Sequence, residues 1–204
     1  YIYFVDSDDI VMSDALMILV KSMESNKTTF VKSDFLPIDE QGKQVFINKK
    51  QVIRRRYDGK VMDSEKFFKK ILMKEYFLWT CLFRKDIIVK NHIQFIPHCR
   101  LMEDAAFVVD YLLYSDRNVY KDACVYGYRK YEGTVSAVNK DYTEDMMMVL
   151  KHTGRHKANL MMLLNSQMQK KHNQKYGSWW LRNTLKIENL FSRFYLLFKY
   201  QIEK

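Results

Sequence analysis

The first nine residues, Tyr1-Ile2-Tyr3-Phe4-Val5-Asp6-Ser7-Asp8-Asp9, constrain the fold more than any other stretch: five apolar, β-favouring residues run directly into three carboxylates. The apolar run has no period-2 alternation. It predicts a strand covered on both faces, as in the parallel sheet of an α/β protein. The carboxylates then stand at the carboxyl end of a buried strand, where open α/β sheets bind their ligands. Two carboxylates flanking one residue can share a hard divalent cation, and Mg²⁺ is usually held by one or two carboxylates plus substrate phosphates. Asp6-Ser7-Asp8 therefore reads as a metal-and-phosphate site. A single Asp often does no more than turn the chain or cap the next helix, but three carboxylates within four positions exceed that need.

At 204 residues the chain suits one large domain, or one domain with a helical appendage. Nearly half the residues are hydrophobic and 15% are aromatic, which supplies a core and argues against disorder. With only two prolines and six glycines, no linker marks a clean boundary. The formal charge of +10 favours phosphates, nucleotides, nucleic acid or an anionic membrane. No nucleic-acid-binding signature accompanies it, so no nucleic acid partner is expected and most of these charges read as solvated surface. Cys81, Cys99 and Cys124 have no paired spacing and read as reduced thiols of a cytoplasmic protein. The longest apolar run, Ala15 to Val20, is far short of a membrane span. The chain opens inside a strand without an initiating Met, which leads us to expect residues upstream.

Ser13-Asp14 can cap a helix through about Glu24, with Leu16, Leu19, Val20 and Met23 on one face. Thr28 to Val31 reads as a strand and Asp39 to Lys43 as a turn. Val45 to Arg56 reads as a β-rich excursion ending in solvated arginines, Arg54-Arg55-Arg56. Asp63-Ser64-Glu65 opens a helix that buries Phe67, Phe68, Ile71 and Leu72. Phe77 to Phe83 is a strand candidate, followed by a short helix near Ile87 to Lys90, then Ile93 to Ile96 and a loop through Met102. Asn118 to Tyr128 is the last β segment. Beyond a soft boundary near residue 140, Met147, Leu150, Met161, Leu164 and Met168 fall at helical spacing, and a second helix runs from about Ser178 to the end.

Glu103-Asp104 opens an almost wholly apolar helix through about Tyr114, where free N–H groups and the helix dipole favour a carboxylate. Alone it is an N-cap pattern. Together with a metal-binding acidic turn it supplies what metal-assisted group transfer needs: charge to neutralise a leaving diphosphate, and a base for the attacking hydroxyl.

The order of motifs resembles that of family 2 inverting glycosyltransferases with the GT-A fold. Tyr3 to Asp9 with Asp14-Ala15-Leu16 is similar to their strand and acidic motif, and Trp79 to Arg84 to their acceptor-side strand. Phe95 with Glu103-Asp104-Ala105-Ala106-Phe107 resembles their catalytic segment. Tyr126 to Arg129 with Thr134-Val135-Ser136 resembles the segment that closes their active site. The match covers about residues 1–137, and the closest pattern is that of bacterial enzymes building surface polysaccharides.

The resemblance implies an α/β fold: a partial nucleotide-diphospho-sugar transferase sheet, residues 1–140, followed by C-terminal α-helices, residues 141–204. It implies that Asp8 holds Mg²⁺ or Mn²⁺ on the donor diphosphate and that Asp6 faces the ribose or helps the metal. Asp104 would be the general base, Glu103 would orient the acceptor or the base, Arg129 would stabilise the leaving diphosphate, and Trp79 would stack on the acceptor sugar or sit in the core. The implied partners are a nucleotide-diphosphate sugar, expected to be a UDP-sugar, and a saccharide or lipid-linked acceptor. Family members carry upstream βα units that hold the nucleotide base. Without them this stretch is expected to bind donor weakly or not at all.

Other readings are weaker. A haloacid dehalogenase-type phosphatase would place Thr or Val where this chain has Ile10, and would need a later Gly-Asp-x-x-x-Asp motif. A calcium loop would need Gly and an acidic residue where Val11 and Met17 stand. Cys81, His92, His98 and Cys99 match no zinc spacing. His152, His156 and His172 have no evident carboxylate or serine partner. The non-enzymatic alternative is a basic helical module: Lys170-Lys171, Lys175 and the aromatic-basic stretch from Trp179 to Lys204 could lie on the inner face of an anionic membrane.

Overall fold

The structure is a computed structural model that describes residues 1–45, 49–100, 102–129, 143–154, 160, 163–164 and 166–167. Its centre is a mixed sheet of six strands: β1 (Ile2–Tyr3), β2 (Ile10–Val11), β3 (Phe30–Ile38), β4 (Val61–Met62), β5 (Cys81–Phe83) and β6 (Asn118–Arg129). The order is β1-β5-β3-β6-β2, with β4 also paired to β6. Of these strands only β3 and β6 run parallel, paired from Phe30 opposite Asn118 to Ile38 opposite Arg129 with register shifts on either side of Asp34. The helices are α1 (Ala15–Asn26), α2 (Lys49–Arg54), α3 (Ser64–Phe67, continued by a π-helical turn at Phe68–Leu72), α4 (Lys85–Lys90), α5 (Glu103–Leu112) and α6 (Thr143–Gly154).

Alternation along the strands sends successive side chains to opposite faces. Phe30, Cys81, Phe83 and Tyr120 join one buried cluster with α3, α5 and α6, while Val31, Leu82 and Val119 join a second with Ala15, Leu19 and Met23 of α1. Helices therefore cover both faces, as the sequence predicts. Met146, Val149 and Leu150 of α6 lie in the same cluster as α5.

Several sequence expectations need correction. The opening strand is an edge strand. It pairs antiparallel with β5 alone, so its residues are half-buried and Val5 is 51% exposed. On α1, Leu16 faces solvent, and Ala15 and Ser22 take the buried positions. The strand expected to stop at Val31 continues to Ile38 through Lys32-Ser33-Asp34, all buried. Pro37 is tolerated there because β5 pairs β3 only from Phe30 to Lys32, leaving the later N–H positions on that side outside the ladder. The excursion from Val45 to Arg56 contains a helix, α2, that turns its charge inward. Val52 and Ile53 are exposed, whereas Arg54 is fully buried between the carboxylates of Asp34 and Glu75. Of the three arginines only Arg55 and Arg56 meet solvent. The first part of the Phe77–Phe83 segment is a 3-10 turn, Leu78–Thr80. The Asp39–Lys43 turn and the α3 start, where Asp63 caps the Lys66 N–H at 2.8 Å, match expectation.

The helix expected from Ser178 onward lies outside the described residues, as do His156, His172 and the basic segment proposed for a membrane. No described helix is long and apolar enough to cross a membrane.

Candidate active site

The acidic turn Asp6–Asp9 follows β1 and leads into β2, a short strand that the sequence reading did not expect. Two partners from β6 hold it. The Tyr126 hydroxyl accepts the Asp6 N–H at 2.9 Å, and the Arg129 N–H donates to Asp9 Oδ1 at 2.7 Å. Gly127, between them, lets β2 close in: a Cβ there would stand 3.1 Å from Ile38 Cδ1 and 3.4 Å from Ile10 Cβ. Asp9 thus does the anchoring that one carboxylate of three was free to do, and Asp6 and Asp8 stay exposed. Replacing Tyr126 with Phe leaves the Asp6 N–H without its acceptor. The expected cost is about 1 kcal/mol in folding stability by urea denaturation.

The second carboxylate pair comes from the first turn of α5. Phe4, two residues before Asp6, packs edge-on against Phe107 of α5 at 5.4 Å and against Phe95 at 5.7 Å. This aromatic wedge brings the two acidic segments into one electrostatic field. Burial pushes the Glu103 carboxyl up, and the charges of Asp145 and Asp6 add to it. Burial also drives Asp104 up to about 7; the Glu103 and Asp6 charges push the same way, and the Leu78 N–H and Lys32 pull against it. Asp6 is raised by burial and then by Asp9 and Asp8. The helix dipole favours ionised carboxylates at this terminus, but desolvation outweighs it at Asp104.

Among the described residues no group of three or more His, Cys, Asp or Glu side chains is arranged to hold a metal ion. What the turn offers a cation is two carboxylates open to solvent, Asp6 and Asp8. A divalent ion completed by phosphate oxygens and water suits such a donor set.

Two expected site residues are engaged otherwise. The Arg129 guanidinium donates to the carbonyls of Asp8 (Nε, 2.9 Å) and Glu40 (Nη1, 2.7 Å), so it ties the acidic turn to the Asp39–Lys43 turn. Trp79 is 6% exposed and stacks on Phe77, Tyr126 and Tyr128 at 4.6–5.3 Å, with Phe35 edge-on. Of its two expected places, a sugar platform and the core, it occupies the core. His152 does have a carboxylate partner: its Nε2 lies 2.8 Å from Asp110 Oδ2. That pair lines a cleft of about 540 Å³ with Gln94, Phe95 and Lys151.

Sequence reasoning missed the polar residues behind the site. Lys32, Asp34, Arg54 and Glu75 are all buried. Asp34 also accepts the Tyr120 hydroxyl, and Lys32 donates to Thr80. The signal was a polar triplet, Lys32-Ser33-Asp34, inside an otherwise apolar strand.

No protein-family model and no curated protein sequence matches the chain. Solved structures do. The S. aureus TarS fragment 1-349 in complex with UDP-GlcNAc aligns at a TM-score of 0.60 and 17% identity over 84% of this chain and 48% of that one. The same fragment with UDP aligns at 0.58 and 15%, over 84% and 46%. The longer TarS structure aligns at 0.58 and 14%, over 84% and 28%. The chain spans about half the length of the TarS fragment, and at such identity the likeness is one of fold: it has the α/β fold of a staphylococcal glycosyltransferase.

Proposed function

We propose that this chain carries the metal motif and acceptor side of an inverting glycosyltransferase, which moves a hexose from a nucleotide-diphosphate sugar to a saccharide or lipid-linked hydroxyl in bacterial surface polysaccharide synthesis. The observation that carries the reading is the packing of Phe4, two residues before Asp6, on Phe107 of the helix that Glu103 and Asp104 open, within a fold shared with a protein crystallised with UDP-GlcNAc.

In this reading Asp104 takes the proton from the acceptor hydroxyl as its oxygen attacks the anomeric carbon. The bond from that carbon to the diphosphate oxygen breaks on the opposite face, which inverts the centre. A carboxyl titrating at about 7 is matched to that task, because it is partly ionised at neutral pH and still basic enough to accept a proton. Glu103 keeps Asp104 protonatable by its charge and stands beside it for the acceptor. Asp8, with Asp6 next to it, would hold Mg²⁺ or Mn²⁺, which supplies positive charge to the departing diphosphate. Arg129 serves by fixing the backbone of that turn, and its charge would favour the departing diphosphate.

The test is calorimetric titration of UDP into the chain, and into a version extended upstream in its own reading frame, with and without Mn²⁺. Asp8→Ala is expected to weaken Mn²⁺-dependent binding at least about tenfold, a loss of roughly 1.4 kcal/mol. UDP binding that is equally strong in EDTA and in Asp8→Ala would remove the metal from the reading.

A further inference from the structure

We infer that the cleft between residues 91–97, the second half of α5 and the last turns of α6 is a second saccharide subsite, which takes a sugar unit of the acceptor beyond the one that reacts. The inference rests on the glycosyl-transfer reading for calling its ligand an acceptor; the cleft and its lining do not depend on that reading.

The cleft of about 540 Å³ falls within the roughly 300–1,000 Å³ of small-molecule sites. Its lining joins aromatic rings to a mixed polar set. Phe95 is 40% exposed although its ring stacks on Phe107 at 4.5 Å, and Tyr114 adds a second exposed ring. The polar groups are Gln94, Asp110, Lys151 and His152. Such a set both donates and accepts, as the rim of sugar hydroxyls requires. The C–H face of a sugar ring packs on the negative face of an aromatic ring. An anion suits the cleft less well. Asp110 lines it, and so do Leu113 and Tyr114 at the carboxyl end of α5, where the helix dipole is negative.

The fold alone does not account for this carboxylate. Asp110 Oδ2 meets His152 Nε2 at 2.8 Å, but Asp110 is only 9% exposed and its Oδ1 is buried without a hydrogen-bond partner. An unanswered buried oxygen costs stability. Its neighbours Val109 and Leu112 pack into the apolar core, so an apolar residue would serve the fold better here.

The place of the cleft on α5 connects it to the acidic site. Glu103 and Asp110 are seven residues apart on this helix, hence on one face and about 10 Å apart. Phe107 stands on that face between them, and Phe95 covers it. Phe95 also meets Phe4, two residues before Asp6, at 5.7 Å. A saccharide whose reacting unit lies at Glu103 therefore reaches the cleft by passing over Phe95, a distance that a short oligosaccharide spans.

The experiment follows the His152 ring and Gln94 side-chain amide signals by ¹H–¹⁵N NMR while cellobiose, lactose, N,N′-diacetylchitobiose and, separately, inorganic phosphate are added to the chain. At least one disaccharide is expected to shift both sets of signals, and phosphate neither. Gln94 is exposed, so Gln94→Ala leaves the fold intact. It and His152→Ala are each expected to weaken that binding about threefold to tenfold, the worth of one hydrogen bond. In a version of the chain extended upstream in its own reading frame, the same variants should raise KM for an oligosaccharide acceptor by the same factor and leave transfer to a monosaccharide unchanged. No shift with any of the disaccharides overturns the inference. So does a shift with phosphate alone, or binding that both variants leave as tight as wild type. Disaccharide binding at the cleft in a chain whose extended version transfers no sugar keeps the subsite and counts instead against the transferase reading.

Discussion

Asp104→Asn is expected to lower kcat/KM for sugar transfer by about 10²–10⁴-fold, the range a general base contributes, and at the same time to make the chain more stable above neutral pH. Both effects have one cause. Burial first, then the Glu103 and Asp6 charges, hold the Asp104 carboxyl at about 7, well above its ordinary value of 3.8. A carboxyl whose folded pKa is raised binds more protons in the folded state than in the unfolded one across that interval, so stability falls as pH rises. The loss begins near the unfolded pKa and is complete once pH passes the folded one, from about 4 to about 7. Asn is never charged, so it escapes the penalty. Urea denaturation should show the variant ahead of wild type by on the order of 1 kcal/mol at pH 8 and level with it near pH 4. Product formation assayed from pH 5.5 to 9 should show the wild-type acidic limb near 7. If the variant transfers sugar at the wild-type rate, Asp104 is not the base, whatever its effect on stability.

The trade is common where a site must keep a poorly solvated charge for chemistry. It also explains why the two acidic segments differ. Asp6 and Asp8 stand on an exposed turn, where water and a cation can answer their charge. Asp104 stands in the first turn of α5, where burial and the Glu103 and Asp6 charges oppose its ionisation.

What could be read from the sequence was what is locally complete. The acidic turn at the end of an apolar run, the capped start of α3, the Glu103-Asp104 start of an apolar helix and the long β6 each carry their signal within a dozen residues, and each stands where it was expected. What could not be read depended on partners distant in the chain. The Arg54-Arg55-Arg56 run has no pattern that marks its first member as buried; that is decided by Asp34 and Glu75, one on β3 and the other beyond α3. The β-branched residues around Val52 and Ile53 argued for a strand, but the inward pull of Arg54 fits a short helix with its apolar side exposed. Trp79 could be placed on either a sugar or the core until Phe35, Phe77, Tyr126 and Tyr128 were seen around it. The opening strand looked covered on both sides because composition reports apolarity and says nothing of how many neighbours a strand has.

Arg54→Met is expected to destabilise the chain by about 3–5 kcal/mol, the usual consequence of removing one partner from a buried ion cluster. The guanidinium is fully buried and bonds the carboxylates of both Asp34 and Glu75. Tyr120 donates to Asp34, and Lys50 lies 3.1 Å from Glu75 at the edge of the cluster. Without Arg54, Asp34 faces only Lys32 and the Tyr120 hydroxyl, and a carboxylate that burial already pushes upward must either ionise unpaired or take a proton. Glu75 is the opposite case: burial opposes its charge, yet Arg54 and Lys32 outweigh burial and hold it below the ordinary range. Its stabilisation is present above the unfolded pKa and is lost as pH falls through the lower folded value. In Arg54→Met both carboxyls accept protons more readily, and protonated acids need no counter-charge. The deficit should therefore be largest near pH 7.5 and shrink toward pH 4.5, as read by urea denaturation at both values. Replacing Asp34→Val with Arg54→Met and Glu75→Leu should recover part of the loss, because no carboxylate is left unpaired and Lys32, whose proton affinity burial already lowers, can give up its proton. If the triple variant is as unstable as Arg54→Met, the cluster acts through its shape and its bonds to Tyr120 rather than through its charges. A flat pH dependence in the single variant would lead to the same conclusion.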